Sequence, residues 1–173
     1  MAVANNWTLN LSSANNKFPI QGASTEHKLH IALTGNPSFG ITRGWRVESD
    51  NPNSPEAHPV LANIGCEKEL DHTTLPLLYA CCNGIMFKLV EFFGWTTVND
   101  DAAKGKDKQV AVTIFRIYEA GLTSANYGGT QSLEFAYNEI QYEYHEYGPD
   151  GKEVTALKTD YDWSRQTNKA RGA

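Results

Sequence analysis

"SLEFAYNEIQYEYHEYGPDG", residues 132–151, holds its apolar side chains in one alternating phase, Leu133, Phe135 and Tyr137, and then in the other, Ile140, Tyr142 and Tyr144. Side chains of a strand alternate between faces with a period of two, so an apolar set that changes phase requires an extra residue or a bend. The sequence predicts that break at Asn138 and Glu139, because asparagine tolerates unusual backbone angles better than most residues. A strand bent there serves one sheet with its first half and another with its second. Around it, short segments rich in β-branched and aromatic residues are separated by Gly, Pro, Asn and Asp clusters, the pattern of a mainly antiparallel β-protein. Strands are expected near 5–11, 27–34, 41–48, 60–70, 86–97, 109–122, 132–147 and 155–163, a rhythm that fits a barrel or a sandwich.

The chain has 173 residues, the size of a single domain over 1–173 that needs neither disulfides nor metal to form a core. Its 15 Lys and Arg against 20 Asp and Glu give a mildly acidic balance with no basic stripe, which argues against nucleic acid as a partner. The start, "MAVANNWTLNLSSANN", carries neither a charged opening nor a long apolar run. No secretory signal and no membrane insertion are therefore expected. Cys66, Cys81 and Cys82 include an adjacent pair that would bridge only with strain, so reduced thiols in a protein folded in cytosol are expected. In that setting the glycosylation matches at Asn6 and Asn10 are chance.

"DHTTLPLLYACCNG", residues 71–84, reads as a helix over about 74–83. Thr74 can cap it, Pro76 is tolerated in the first turn, and Asn83 with Gly84 supplies a left-handed stop. Leu75, Leu78, Tyr79 and Cys82 form one stripe at helical spacing, expected to seal the sheet. The polar segment "DNPNSPEAHP", residues 50–59, contains three prolines and reads as an extended loop over about 48–60. Loops of this length are commonly functional.

Candidate chemistry is sparse. His27 and His30 stand three apart in an expected strand and so would face opposite ways; His58, His72 and His145 complete the set without metal-ligand spacing. Glu139 and Glu143 would share a face of an unbroken strand and could act as an acid/base pair, or form a solvated or intersubunit face. Tyr137, Tyr142, Tyr144 and Tyr147 could stack a ligand, though cross-strand packing uses the same residues. Cys81 and Cys82 lie within an apolar helix rather than at a helix N-terminus, which favours buried thiols over a nucleophile. No phosphate loop and no nucleophile elbow occur. No catalytic, cofactor-binding or metal-ligating set is assigned, and binding or assembly ranks ahead of catalysis. A carbohydrate- or peptide-binding module using the tyrosine-rich strand is the alternative.

The helix segment resembles that of the Hcp family, the haemolysin-coregulated tube proteins of type VI secretion, through Asp71, Thr74, Leu77, Leu78, Ala80, Cys81 and Gly84. The opening stretch is similar to the family's penultimate strand at Leu133, Phe135, Ala136, Glu139 and Tyr142, with Asn138 at a usually apolar position and Ile140 at a usual Trp. The ending resembles the family's Asp-Gly-Lys turn and last strand, with Trp163 and Asn168 in place. The likeness is good from about Glu67 to Ala170 and loose before it. It implies a small β-barrel of two packed antiparallel sheets with a flanking helix, forming homohexameric rings that stack into a tube. The implied partners are further copies of the chain, a spike protein, a surrounding sheath and effector cargo. Export would proceed from the bacterial cytoplasm without a signal peptide. On this reading Asp50, Asn51, Pro52, Asn53, Pro55, Glu56 and His58 serve ring stacking. Leu77, Leu78, Tyr79 and Cys82 are the helix candidates for contact between protomers.

Overall fold

The computed structural model describes residues 6–13, 20–22, 24, 27, 29–42, 60–100, 106–148 and 150–162. The elements are β1 (Asn6–Ser13), β2 (Ile31–Leu33), β3 (Ile41–Thr42), β4 (Val60–Leu61), β5 (Ile64–Lys68), α1 (Thr74–Cys82), β6 (Met86–Asp100), β7 (Lys106–Tyr127), β8 (Gln131–Ala136), β9 (Glu139–Tyr147) and β10 (Glu153–Asp162). Eight strands form one antiparallel sheet in the order β10-β9-β7-β6-β1-β2, with β8 joined to β7 and β5 to β8, while β3 and β4 pair separately. The sheet nearly closes. Past β2 the chain bonds to β5, with Thr34 N donating to Glu67 O at 2.9 Å and Ser38 and Gly65 exchanging bonds of 2.8 and 2.9 Å. The result is the expected mainly β, barrel-like body. The segment expected as one strand over 60–70 is split in two, and the loop residues 50–59 lie outside the described residues.

The stretch 132–147 forms two strands, β8 and β9, separated at Tyr137 and Asn138. β7 runs beside both. Tyr118 pairs with Glu139 and Gly121 with Ala136, so two residues intervene on each side and the register is the same across the gap. No residue is inserted at Asn138 or Glu139; the two strands change phase together. Phe115 and Ile117 enter the core before the gap, Ala120 and Leu122 after it. The change is made by Glu119, whose φ of 51° lies in the left-handed region and breaks the two-residue alternation. Asn138 secures the crossing by donating from Nδ2 to Glu119 Oε2 at 3.2 Å and from its backbone N to Tyr118 O at 3.3 Å. The ladder's extra residue falls instead in β7 at Thr123, between Leu122 and Ser124.

One face of the sheet and α1 enclose the core. Leu9, Ile31, Ile64, Leu77, Phe87, Val90, Phe92, Ile117, Leu133 and Phe135 are all buried there. The rings of Phe87 and Phe92 meet Phe135 edge-on, with centroids 6.3 and 6.0 Å apart.

The helix is present but turned from its expected orientation. Thr74, Leu77 and Ala80 are its buried residues, whereas Leu75 is 73% and Tyr79 54% exposed, and Cys82 is exposed too. Its ends explain how it is held. Gly84, at φ 59°, adopts the left-handed stop, and Ile85 N donates to Ala80 O at 2.9 Å while Gly84 N donates to Cys81 O at 3.2 Å. At the other end Thr73 occupies the N-cap, and Thr74 is the first helical residue. Asp71 Oδ1 accepts from Thr73 N at 2.8 Å and Thr73 Oγ1 at 2.6 Å, supplying the missing cap.

Lys68 fixes this end to the barrel. Its side chain is fully buried, and Nζ donates to Glu69 O at 2.6 Å, Asp71 Oδ1 at 2.8 Å and Thr74 Oγ1 at 3.2 Å, using all three ammonium donors. Opposite Lys68 in the ladder, buried Gln131 donates from Nε2 to Thr74 O at 3.2 Å. Burial pushes the Asp71 carboxyl up, but hydrogen bonds from Lys68 and Thr73 outweigh it and leave it below its ordinary value. The helix is thus rotated by polar anchoring at one terminus and by the fit of small Ala80 against the core.

Replacing Lys68 by alanine is expected to cost about 2–4 kcal/mol, from the cavity and the lost bonds, whereas Lys68→Met, which keeps the volume, should cost less than half as much. Urea unfolding measures both; equal losses would show that the ammonium network alone, with no contribution from the filled volume, secures the helix.

Candidate functional site

Residues that alternate with core positions point to the opposite face of the sheet, and a polar row crosses five strands there. Asn10 on β1 donates to Glu91 Oε2 on β6 at 2.9 Å. Arg116 on β7 donates from Nε to Glu91 Oε1 at 3.0 Å, and from Nη1 to Gln141 Oε1 at 3.0 Å and Glu143 Oε1 at 2.6 Å on β9. Lys158 on β10 reaches Glu143 Oε1 at 3.4 Å. Glu91, Arg116 and Glu143 are 16%, 21% and 14% exposed, so these pairs are screened less than surface pairs. Burial pushes the Glu143 carboxyl up, but Arg116 first, then Lys158 and His145, bring it below its ordinary value.

That environment is the reverse of what a general acid requires, since a catalytic carboxyl is tuned upward. Glu139 is buried one ladder step from the β8–β9 gap and paired opposite Tyr118. The tyrosines also do not form one platform. Tyr137 donates to Ala62 O at 3.0 Å and burial pushes its hydroxyl up to about 12. Tyr142 packs on Phe115 at 5.0 Å, and Tyr147 donates to Ala111 O at 3.4 Å.

His27 and His30 do not lie on opposite faces of a strand. They precede β2 in a turn in which His30 N donates to His27 O at 3.1 Å and Leu29 has a φ of 74°. Their rings come within 6.0 Å of each other, with His27 stacked on Trp95 at 3.6 Å and His30 on Phe93 at 5.1 Å. Gly22 makes the turn possible, because a Cβ there would meet His30 O at 2.0 Å. Trp95 Nε1 donates to Thr8 Oγ1 at 2.9 Å, and the Thr8 hydroxyl, free to donate, lies 3.0 Å from His30 Nδ1. With the Thr8 proton directed to Nδ1, His30 is the neutral tautomer protonated on Nε2. Among the described residues no group of three or more His, Cys, Asp or Glu could hold a metal ion.

The thiols differ among themselves. Cys66 is buried, and burial with Glu67 nearby pushes it up to about 12. Cys81 lies 3.6 Å from Leu122 O, whereas Cys82 is exposed on the helix instead of buried as expected. An open groove of about 530 Å³ lies over β5, β8 and the end of β7, lined by Ser38, Asn63, Gly65, Glu67, Ser132 and Glu134 among others. Small polar side chains make it a shallow hydrophilic surface without a convergent constellation.

The remaining surface signal is apolar. Val154 and Leu157 on β10 are 67% and 61% exposed, and β10 pairs only with β9 among the described residues. On the helix flank, Leu75 and Tyr79 are joined by Met86, 56% exposed. Sequence reasoning missed β10 as a surface, although "EVTALKTDYD" at the end of the sheet order is a strand without a second neighbour.

Burial first, and His27 second, hold the His30 imidazole below its usual 6.5, against a weaker upward pull from Glu91. Unfolded His30 therefore binds a proton before folded His30 does, so its stabilisation is present above about pH 6.5 and is lost as pH falls through the lower folded value. Urea titrations between about pH 7 and pH 5 should show this loss in the native protein and less of it in His30→Gln. Identical slopes would contradict the neutral assignment.

Comparison with known proteins agrees with this architecture. The sequence profile of the family described as "Type VI secretion system effector, Hcp" matches residues 11–144. A structure of a type six secretion system protein superposes with a TM-score of 0.76 at 18% identity, covering 95% of this chain and 99% of that one. Hcp1 from Salmonella typhimurium gives 0.66 at 11% identity, covering 98% and 100%, and the secreted protein Hcp3 from Pseudomonas aeruginosa 0.62 at 17%, covering 91% and 99%. No curated protein matches by sequence. With the profile spanning most of the chain and the barrel, helix and strand order in hand, the chain belongs to the Hcp family of type VI secretion proteins.

Proposed function

We propose that the chain is a non-enzymatic tube subunit that assembles head to tail into hexameric rings, which stack and carry effectors through a contractile secretion apparatus. The observation that carries this reading is a pair of unlike, exposed apolar surfaces: the edge of β10 with Val154 and Leu157, a strand that pairs only with β9 among the described residues, and the outward helix face with Leu75. Two different surfaces that complement one another make a heterologous contact, which generates a ring when the rotation closes. An exposed strand edge is otherwise an aggregation hazard, and Lys158 of β10 turns to Glu143 instead of guarding the edge.

In the ring the helix contributes Leu78, Tyr79 and Cys82 together with Leu75; Leu77, fully buried, supports the contact from within the core. The segment from Asp50 to Val60 acts between rings, where prolines lower the entropy lost on docking. Spike, sheath and effector cargo are the remaining partners, reached from the bacterial cytoplasm.

Native mass spectrometry of the purified chain should give a ring, and Leu157→Glu and Leu75→Glu should each shift it to monomer with the far-UV circular dichroism unchanged. A strictly monomeric native protein at high concentration would overturn the reading; rings in both variants would overturn the two surfaces. Deleting residues 50–59 should spare single rings and weaken their stacks, and undiminished stacking would remove the loop from the account.

A further inference from the structure

Asn83-Gly84 is the only Asn-Gly pair in the sequence, and it stands exposed where α1 ends. In such a pair the side-chain amide carbon and the next backbone nitrogen can close a five-membered ring, because glycine has no Cβ to hinder the approach. Gly84 N bonds to Asn83 Cγ, the Cγ–Nδ2 bond breaks, and Nδ2 leaves as ammonia with the proton given up by Gly84 N. Water then opens the succinimide at either carbonyl, leaving aspartate or isoaspartate at position 83. The only co-reactant is water.

The helix end holds both reacting groups. The leaving nitrogen, Asn83 Nδ2, donates to Tyr79 O at 2.8 Å, and the attacking nitrogen, Gly84 N, donates to Cys81 O at 3.2 Å. Asn83 N adds a second bond to Tyr79 O at 3.0 Å. Ring closure requires Gly84 N to be eclipsed with Asn83 Cβ, whereas the Asn83 ψ of 4° eclipses it with Asn83 N. The Cα–C bond of Asn83 must therefore rotate, and that rotation breaks the bond from Gly84 N. The reaction waits on opening of the last helical turn. A helix of nine residues is marginal without its packing, and helix ends open at lower cost than the core.

We propose that Asn83 is a self-modification site latched by the helix C-terminus: it deamidates when the last turn of α1 opens and is protected while that turn is closed. The product does not latch again. An aspartate or isoaspartate at this position has no Nδ2 to donate to Tyr79 O, and it sets a negative charge at a helix C-terminus, where the carbonyls already carry negative charge. Each conversion therefore loosens the end of α1 beside the exposed Tyr79 and Cys82. The site is a property of the single chain and stands apart from the ring reading.

Peptide mass spectrometry of the purified chain, held at neutral pH and sampled over days, reads the conversion of Asn83 directly. The urea-unfolded chain should convert at this position, and the native chain about tenfold more slowly, the effect of the two hydrogen bonds that must open first. Ala80→Gly, which weakens the last turns of α1, should speed the native reaction about fivefold with the far-UV circular dichroism unchanged. An unfolded chain that keeps Asn83 intact would overturn the site. A native rate equal to the unfolded rate would overturn the latch, as would an unaltered rate in folded Ala80→Gly; the native and unfolded rates decide the matter even if that variant fails to fold.

Discussion

The shared strand β7 is the constraint on which the rest of the structure depends. Over 22 residues it pairs with β6 along one side, and with β9 and then β8 along the other. One strand thereby belongs to the barrel through its second half and to the β9–β10 extension through its first. Because paired residues in an antiparallel ladder lie on the same face, neither β7 nor its partner can change phase alone without losing a pair. The chain meets this by switching both strands at one point, with Glu119 in the left-handed region and Asn138 bonded to it. A left-handed non-glycine residue carries a cost of order 1 kcal/mol, offset here by the Asn138 bonds and by the apolar residues delivered on each side.

From that switch follow both the core and the exposed edge. Ahead of it, Phe115 and Ile117 meet Tyr142 and Ile140; beyond it, Leu122 meets Phe135. On the reverse face Arg116 joins Glu91, Gln141 and Glu143, tying the extension to the barrel strands by charge. Such pairs weigh little in net stability, but removing Arg116 would leave partly buried carboxylates facing each other, so the arrangement fixes geometry more than it adds energy. Among the described residues β10 has one ladder, to β9, and the assembly reading draws on its other edge.

Much of this was legible in the sequence where local chemistry decides the outcome. The alternation of Leu133 and Phe135 against Ile140 announced two halves, and Asn83-Gly84 announced the helix stop, because both are fixed within a few residues. The helix's inward face was not legible. Leu75, Leu78, Tyr79 and Cys82 make as regular a stripe as Thr74, Leu77 and Ala80, and apolar periodicity alone cannot choose between two stripes. Lys68 decided the matter from outside the helix, and a lysine in a strand gives no sequence sign of burial. His27 and His30 were misplaced for a similar reason: a left-handed Leu29 and the close approach at Gly22 depend on tertiary contacts. The break expected at Asn138 and Glu139 is there, as a bend at Asn138 within a paired switch and not as an inserted residue, since the neighbour's phase cannot be seen in one strand.

The family and the barrel are common to many relatives at low identity; on this chain the β10 edge with Val154 and Leu157 and the helix face with Leu75 are exposed and apolar, and the ring reading joins them. Whether these close into a ring is visible directly by negative-stain or cryo-electron microscopy of the purified native chain. The account predicts end-on views of closed rings with a central channel and side views of stacked discs. Fields containing only single compact particles at high protein concentration would contradict it.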